Sequence, residues 1–331
     1  MESQEKEKPV PESTTRHPRP SSFRLRRDAQ RVAVGRHRSR TMPFSTLISA
    51  AQLVGHLDDP TLVVVDCRFN LDDVEWGRRE YASAHIPGAV YAHVDEDMAG
   101  AKSGTNGRHP LPDPESFRRA LGRMGISHAS QVVAYDQDNG MYASRFWWML
   151  RWMGHDAVAV LDGGMAAWLA EGQVVASGEE RRARAEFSGE PRDGMLASGD
   201  DVASMVARPD WRVLDARAPE RFRGEVEPLD RVAGHIPGAR NHFFKSNLEA
   251  DATFRSREAL QASFEAVLGG TPADHVVAYC GSGVTACHNL LAMEHAGLHG
   301  ARLYAGSWSE WSSNTSRPIA TGPTHAHDHT S

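Results

Sequence analysis

The feature that most constrains this chain is that it repeats itself. "VVVDCR" at 63–68 returns as "RVLDAR" at 212–217, and "AHIPGA" at 84–89 returns as "GHIPGA" at 234–239. "VVAYD" at 132–136 reappears as "VVAYC" at 276–280, and "LDGGMAAW" at 161–168 as "YAGSWSEW" at 304–311. The offsets are 149, 150, 144 and 143 residues, in unbroken order. The chain is therefore two copies of one unit, and any fold proposed for one half must serve both.

Within each copy, short β-branched runs alternate with amphipathic stretches. "TLVVVDCR" and "QVVAYD" in the first copy, and "WRVLDAR" and "DHVVAYC" in the second, suit buried parallel strands. "PESFRRALGRMG", "YASRFWWMLRWMG", "SREALQASFEAVLGG" and "TACHNLLAMEHAGL" read as helices, the first with proline at its opening turn. Strand, helix, strand at this spacing predicts an α/β fold of two homologous domains, each a mainly parallel sheet with helices on both faces. The boundaries predicted are 45–175 and 197–320, joined by a polar linker at 176–196.

Composition narrows the class. With 40% hydrophobic and 24% charged residues the chain is globular. The net charge of −6 argues against nucleic acid, and no apolar run approaches the ~18 residues of a membrane span. The charge is uneven: residues 1–41 carry eleven Lys/Arg against five Asp/Glu, which leaves the remainder at −12. That Arg-, Ser- and Pro-rich stretch predicts a disordered extension, and 321–331, with His325, His327 and His329, a disordered tail. Three cysteines, Cys67, Cys280 and Cys287, are too few for a disulfide scaffold and predict a reducing, cytoplasmic setting.

One of the three stands out. In "YCGSGVTACH", residues 279–288, Cys280 follows a predicted central strand, and a helix begins near Val284 or Thr285. Ligands of open α/β sheets bind at that strand end. Gly281, Ser282 and Gly283 let successive N–H groups turn inward ahead of the helix N-terminus, forming an anion cradle that favours a thiolate. A structural thiol would have an apolar neighbourhood instead. Cys287, on the inner face of the helix, and Cys67, at a strand end, read as structural.

The "HIPGA" loop, the "CGSGVTAC" loop and the terminal "YxGSWxEW", all in the second half, resemble the tandem-rhodanese sulfurtransferases over residues 45–320. The loop is most similar to that of the 3-mercaptopyruvate/thiosulfate sulfurtransferases, the mercaptopyruvate type above all. The resemblance implies that Cys280 takes a sulfane sulfur from a small anionic donor, holds it as a persulfide and passes it to a thiol or cyanide. A thioredoxin-like protein is a candidate acceptor. No cofactor or metal is implied, and neither a nucleic acid nor a membrane is a partner. In the first copy Asp136 replaces the cysteine, and a carboxylate cannot carry sulfur, so that half is predicted to be catalytically silent.

The resemblance further implies a donor-binding arginine ahead of the second "HIPG" loop, matched by Arg221. A second arginine, usual nine residues on, is missing: Asp230 stands there and Arg231 follows. The loop residues Gly281, Gly283, Val284 and Thr285 complete the predicted binding site. The mercaptopyruvate type also implies a serine-protease-like relay, for which Ser282, His85 and Asp73 are the matches. Ala305 replaces the usual Asp of "YDGSW", which the first copy keeps at Asp162, and a local packing consequence is expected. A cysteine phosphatase would need Cys-x5-Arg, and that position is Ala286. A sulfur relay to a protein partner uses the same chemistry with a different acceptor.

Overall fold

The computed structural model describes residues 44–323. The extension predicted for 1–41 and most of the predicted tail lie outside them. In the first half, β1 (Leu47–Ile48), β2 (Leu62–Asp66), β3 (Val90–Tyr91), β4 (Gln131–Tyr135) and β5 (Val158–Leu161) form one sheet in the order β1-β5-β4-β2-β3. In the second, β6 (Arg212–Asp215), β7 (Arg240–Asn241), β8 (Val276–Tyr279) and β9 (Arg302–Leu303) run β7-β6-β8-β9. Every pairing is parallel. Leu196 bridges Leu303 in parallel, in the place where β1 meets β5 in the first half. The repetition in the sequence is thus a repetition of topology.

Strand alternation divides the core. Val63, Val65, Val132 and Ala134 face one apolar cluster, which also takes in Leu214, Val276 and Ala278 of the second sheet. The other faces carry separate clusters, with Val64, Val133 and Trp168 in the first half and Val213, Val277 and Trp308 in the second. This is the period of two expected of strands covered on both faces. The helices Ala143–Trp152 and Thr285–His295 pack against each other inside the shared cluster. The halves are joined through an apolar core, which fixes any site that lies between them.

A buried polar node sits at the same place in each half. Arg68 pairs with Asp66 at 2.6 Å and donates to the Ala84 carbonyl at 2.6 Å. Arg217 pairs with Asp215 at 2.7 Å and donates to the Gly234 carbonyl at 2.7 Å. The tyrosine ending the adjacent strand completes it: Tyr135 donates to Asp66, Tyr279 hydrogen-bonds Asp215, and each hydroxyl accepts from the "HIPG" isoleucine N–H. Removing the cation would strand a fully buried carboxylate. Arg217→Ala should therefore destabilise the fold by about 3–5 kcal/mol. Chemical denaturation checks this, and a loss of about 1 kcal/mol or less would show that the node is not the clamp described.

Candidate active site

Cys280 lies one residue beyond β8, only 2% exposed, with the helix Thr285–His295 opening just behind it. Its Sγ accepts the Gly283 N–H at 3.1 Å. Its own N–H donates to Ser307 Oγ, and the carbonyls of Cys280 and Gly281 accept from Trp308 and Ser309. The "GSWSEW" segment therefore holds the loop from below. Gly283 has φ +77°, and a Cβ there would meet the Ala305 carbonyl at 2.5 Å, so only glycine fits. Val284 is buried at the helix cap and Thr285 is the first helical residue.

Ser282 meets a histidine, but not the one the sequence suggests. His109 Nδ1 lies 2.8 Å from Ser282 Oγ, and its Nε2 lies 3.6 Å from Asp95 Oδ1. The carboxylate selects the tautomer with the proton on Nε2, which leaves Nδ1 to accept from the Ser282 hydroxyl. Burial, reinforced by the nearby Arg145 guanidinium, pushes the His109 imidazole down to about 3, so it is neutral at ordinary pH.

His85 is corrected by this geometry. It is fully buried within the first half, stacks on Tyr81 at 4.4 Å, and its Nδ1 hydrogen-bonds the Tyr81 carbonyl. His235 does the same against Phe222, and each "HIPG" histidine pairs through its backbone with the chain end of its own half, at Ala176 or Ala320. A repeated role of this kind holds the loop in place. Asp73 is corrected too. It is half-exposed and paired with Arg79, which pulls its carboxyl below the usual range. Arg231 is exposed, while its neighbour Asp230 turns inward.

Arg221 does reach the site. A Cβ on Gly281 would stand 3.6 Å from Arg221 Nη2, and also 2.7 Å from Nη2 of Arg108, a first-half residue. Arg221 pairs with Glu227 at 2.6 Å, and Glu227 in turn pairs with Arg217. Arg108 and His109 escape the sequence reading because they lie in a Gly/Pro-rich stretch without periodicity, and Asp95 because it sits among other acids in "VDED". One signal was available. The stretch before the second-half helix Arg257–Leu268, "EADATFRS", has no histidine, so His109 breaks the repetition that His85 keeps.

The helices behind the two loops exchange hydrogen bonds. Arg145, fully buried, donates to the carbonyls of Gly283, His109 and Met98. Three residues after Thr285, His288 Nε2 bonds the Asn139 carbonyl of the first-half loop. Cys287 donates to the Gly283 carbonyl as Ser144 does to that of Gly140, and burial raises its thiol. Burial likewise raises the Cys67 thiol. In the first-half loop the Asp136 carboxylate accepts from the N–H groups of Gly140, Tyr142 and Ala143 at 2.8–3.2 Å. The half-buried Asp162 accepts the N–H of Phe254 across the halves, a contact that Ala305 has no side chain to copy.

Two cavities of about 670 Å3 lie beside Tyr91 and Arg123 and beside Arg118 and Phe187, and Cys280 lines neither. Glu75, His93 and Glu96 come within ligand range of one another. Yet His93 Nδ1 accepts the Asp95 N–H, its Nε2 donates to the Val74 carbonyl, and Arg78 bridges the two glutamates. Those ligand atoms are already committed. Among the described residues no helix is long and apolar enough to cross a membrane.

Comparison with known proteins agrees with the repeat. The rhodanese-like domain family matches residues 49–171 and again 198–314. A Pseudomonas aeruginosa protein named a probable 3-mercaptopyruvate sulfurtransferase is 48% identical over 283 residues, covering 85% of this chain and 100% of that protein. A Mycobacterium tuberculosis protein, provisionally named thiosulfate sulfurtransferase SseB, is 39% identical over 83% of this chain and 97% of its own. The structure of 3-mercaptopyruvate sulfurtransferase from Leishmania major superposes with a TM-score of 0.73 at 32% identity, over 83% of this chain and 76% of that one.

The buried imidazoles give the fold an acid limit. His109 and His288 are pushed down to about 3 and His295 to about 4, all by burial first, from an ordinary value of 6.5. Above pH 6.5 both folded and unfolded states are neutral at these sites, and the full stability is present. As pH falls from there toward 3, only the unfolded chain takes up protons, and each site removes up to about 1.4 kcal/mol per pH unit. Asp136, pushed by burial up to about 6, and Asp97, Asp162, Asp230 and Glu310, which burial also raises, oppose them over part of the range. Burial of His155, His235 and His242 lowers those imidazoles and adds to the acid loss. Denaturation midpoints should fall steadily between about pH 7 and about pH 4.5. A flat or rising profile would contradict the neutral buried histidines.

Proposed function

The chain belongs to the tandem-rhodanese sulfurtransferase family and is a sulfurtransferase, and from that premise we propose 3-mercaptopyruvate as its preferred sulfur donor. The observation that carries this reading is the Ser282–His109–Asp95 line beside Cys280. Mercaptopyruvate differs from thiosulfate in needing proton management. When the Cys280 thiolate attacks the donor sulfur, an S–S bond forms, the C–S bond breaks, and the electron pair leaves as the enolate of pyruvate. The proton on the new persulfide passes through the Ser282 hydroxyl and the neutral His109 imidazole to the enolate carbon, giving pyruvate and a persulfide anion. A neutral imidazole is the form able to take that proton.

Electrostatics favours the same donor. The site offers Arg108 and Arg221, but Glu227 and Asp230 stand directly behind them. Four charges that cancel suit a monoanion with a carbonyl better than a small dianion. Gly283 and the helix N-terminus then stabilise the persulfide, and a thiol, cyanide or a thioredoxin-like protein removes the sulfur. The three cysteines, all free and buried, fit a reducing cytoplasm. The tuberculosis relative, named for thiosulfate, favours that donor as the second reading.

Intact mass after incubation with each donor tests both readings. One added sulfur atom on Cys280 is expected with mercaptopyruvate, more slowly with thiosulfate, and none in Cys280→Ser. A faster transfer from thiosulfate would reverse the assignment. His109→Gln and Ser282→Ala should each lower kcat with mercaptopyruvate by about 10²–10⁴-fold while thiosulfate turnover falls far less. Equal losses with both donors would remove the relay from the chemistry. Arg221→Ala should raise the donor KM on the order of tenfold to a hundredfold. An unchanged KM for both donors would take Arg221 out of the site.

A further inference from the structure

The two helices packed between the halves carry unlike residues at one equivalent place. Ser144 and Cys287 match, each donating to the loop glycine carbonyl four residues earlier, so the next positions, Arg145 and His288, match as well. Each of these reaches across to the other half's loop. Arg145 Nη1 donates to the Gly283 carbonyl at 3.0 Å, and His288 Nε2 to the Asn139 carbonyl at 3.0 Å. The first-half loop thus meets a neutral ring, because Asn247 donates to Nδ1 of His288 and leaves the single proton on Nε2. The cysteine loop meets a guanidinium, which keeps its charge at every working pH.

No carboxylate answers that charge. Arg145 is fully buried and, among the described residues, forms no salt bridge; its donors go to the carbonyls of Gly283, His109 and Met98. A buried cation without a counter-charge is costly. Burial pushes the guanidinium down, and the groups whose negative charge opposes this are Cys287, Cys280 and Asp95, in that order. Cys287 remains a thiol, raised by burial and with its S–H given to the Gly283 carbonyl. Asp95 is a quarter exposed, faces Nε2 of His109 and pairs with Lys102 at 3.2 Å. The buried anion left for Arg145 is the one at Cys280.

We propose that Arg145 is the counter-ion of the sulfur anion at Cys280, a positioning residue supplied by the first half that acts through the Gly283 carbonyl and its own charge and lies too deep to meet the donor. This rests on the Cys280 persulfide reading above and deepens it. The other charged groups around the loop are otherwise engaged. Arg108 and Arg221 face Gly281 but are tied to Asp230 and Glu227, and His109 beside Ser282 is neutral. Arg145 also helps to keep His109 neutral, so one cation serves both the thiolate and the imidazole that accepts its proton. The first half shows the contrast. Asp136 has three N–H groups on its carboxylate but His288 in place of a cation, and burial still pushes it up to about 6.

Alkylation of Cys280 by iodoacetamide in the full chain, read by peptide mass, tests the assignment without any sulfur donor. At about pH 6, Arg145→Gln, which keeps two N–H donors and loses the charge, should react about tenfold or more slowly than the wild type. Arg145→Lys, which keeps the charge and loses the fork, should stay within a few-fold. By about pH 10 the three rates should converge, since the thiol then ionises unaided, whereas a merely distorted loop would stay slow at both pH values. Equal rates at the lower pH, or a deficit that persists at the higher, overturn the counter-ion. If Arg145→Gln does not fold, Cys280→Asp against Cys280→Ser decides in a chain that keeps Arg145. The aspartate, an anion where the first half has Asp136, should melt about 3 °C or more above the serine at about pH 8, and equal or lower melting overturns the counter-ion. Intact mass is read beside these rates. No sulfur gained by the wild type from either donor overturns the persulfide reading, while slow alkylation of Arg145→Gln at the lower pH would still uphold Arg145 as counter-ion of the thiolate.

Discussion

Much of this structure hangs on the buried Asp215–Arg217 pair. Two charges removed from water cost several kcal/mol each unless their remaining bonds are made. Here they are. Arg217 also reaches the Gly234 carbonyl and Glu227, and lies 4.8 Å above the Trp308 ring; Asp215 accepts from the Arg217 N–H and from Tyr279. One guanidinium thus ties the ends of β6 and β8 to the "HIPG" loop and to the helix beneath the cysteine. Through Glu227 it also sets the position of Arg221, and Arg221 faces Asp230 and Arg108. Arg221, Asp230 and Arg108 are the outer end of a chain of alternating charges that begins inside the sheet.

The twin node at Asp66 and Arg68 explains why so much of the fold was legible. Wherever both halves need the same interaction the sequence states it twice, and repetition separates signal from chance. Strands, long helices and the cysteine loop are local patterns and read directly. The partners of Ser282 and Asp230 are not local: His109 lies 173 residues from the first and Arg108 lies 122 from the second. Asp95 belongs to no periodic pattern at all. The repeat also misled, because the histidine of "HIPG" is prominent for being repeated, and a repeated residue serves the frame both halves share. Whatever distinguishes the halves resides in residues that break the repeat, such as Cys280 against Asp136 and His109 against no counterpart.

The first half has Asp136 where the second has Cys280, yet it supports the cysteine loop. Its helix Ala143–Trp152 sends Arg145 into the Gly283 and His109 carbonyls, so one buried cation holds the cradle and the relay in register. The second half returns the contact through His288 to Asn139, and Asn247 backs that histidine with a hydrogen bond to its Nδ1. Each helix steadies the loop of the other half. With the apolar core that the two helices share, these crossed bonds hold Arg108 and His109 of the first half beside the Cys280 loop.

The first-half loop shows what the geometry of the cysteine loop can hold. With the one-residue difference in length, Gly140, Tyr142 and Ala143 correspond to Gly283, Thr285 and Ala286, and Gly140 and Gly283 share a φ of +76° and +77°. In the first half all three N–H groups close on the Asp136 carboxylate, one on the first oxygen and two on the second. In the second, the Gly283 N–H already meets Sγ. A carboxylate oxygen lies two bonds beyond Cβ, and so does the outer sulfur of a cysteine persulfide. In the mechanism proposed above, the place that Asp136 fills in the first half is matched in reach, at Cys280, to the outer sulfur of a persulfide. An aspartate in that loop therefore does more than remove a nucleophile: it occupies the anion's place with the chain itself.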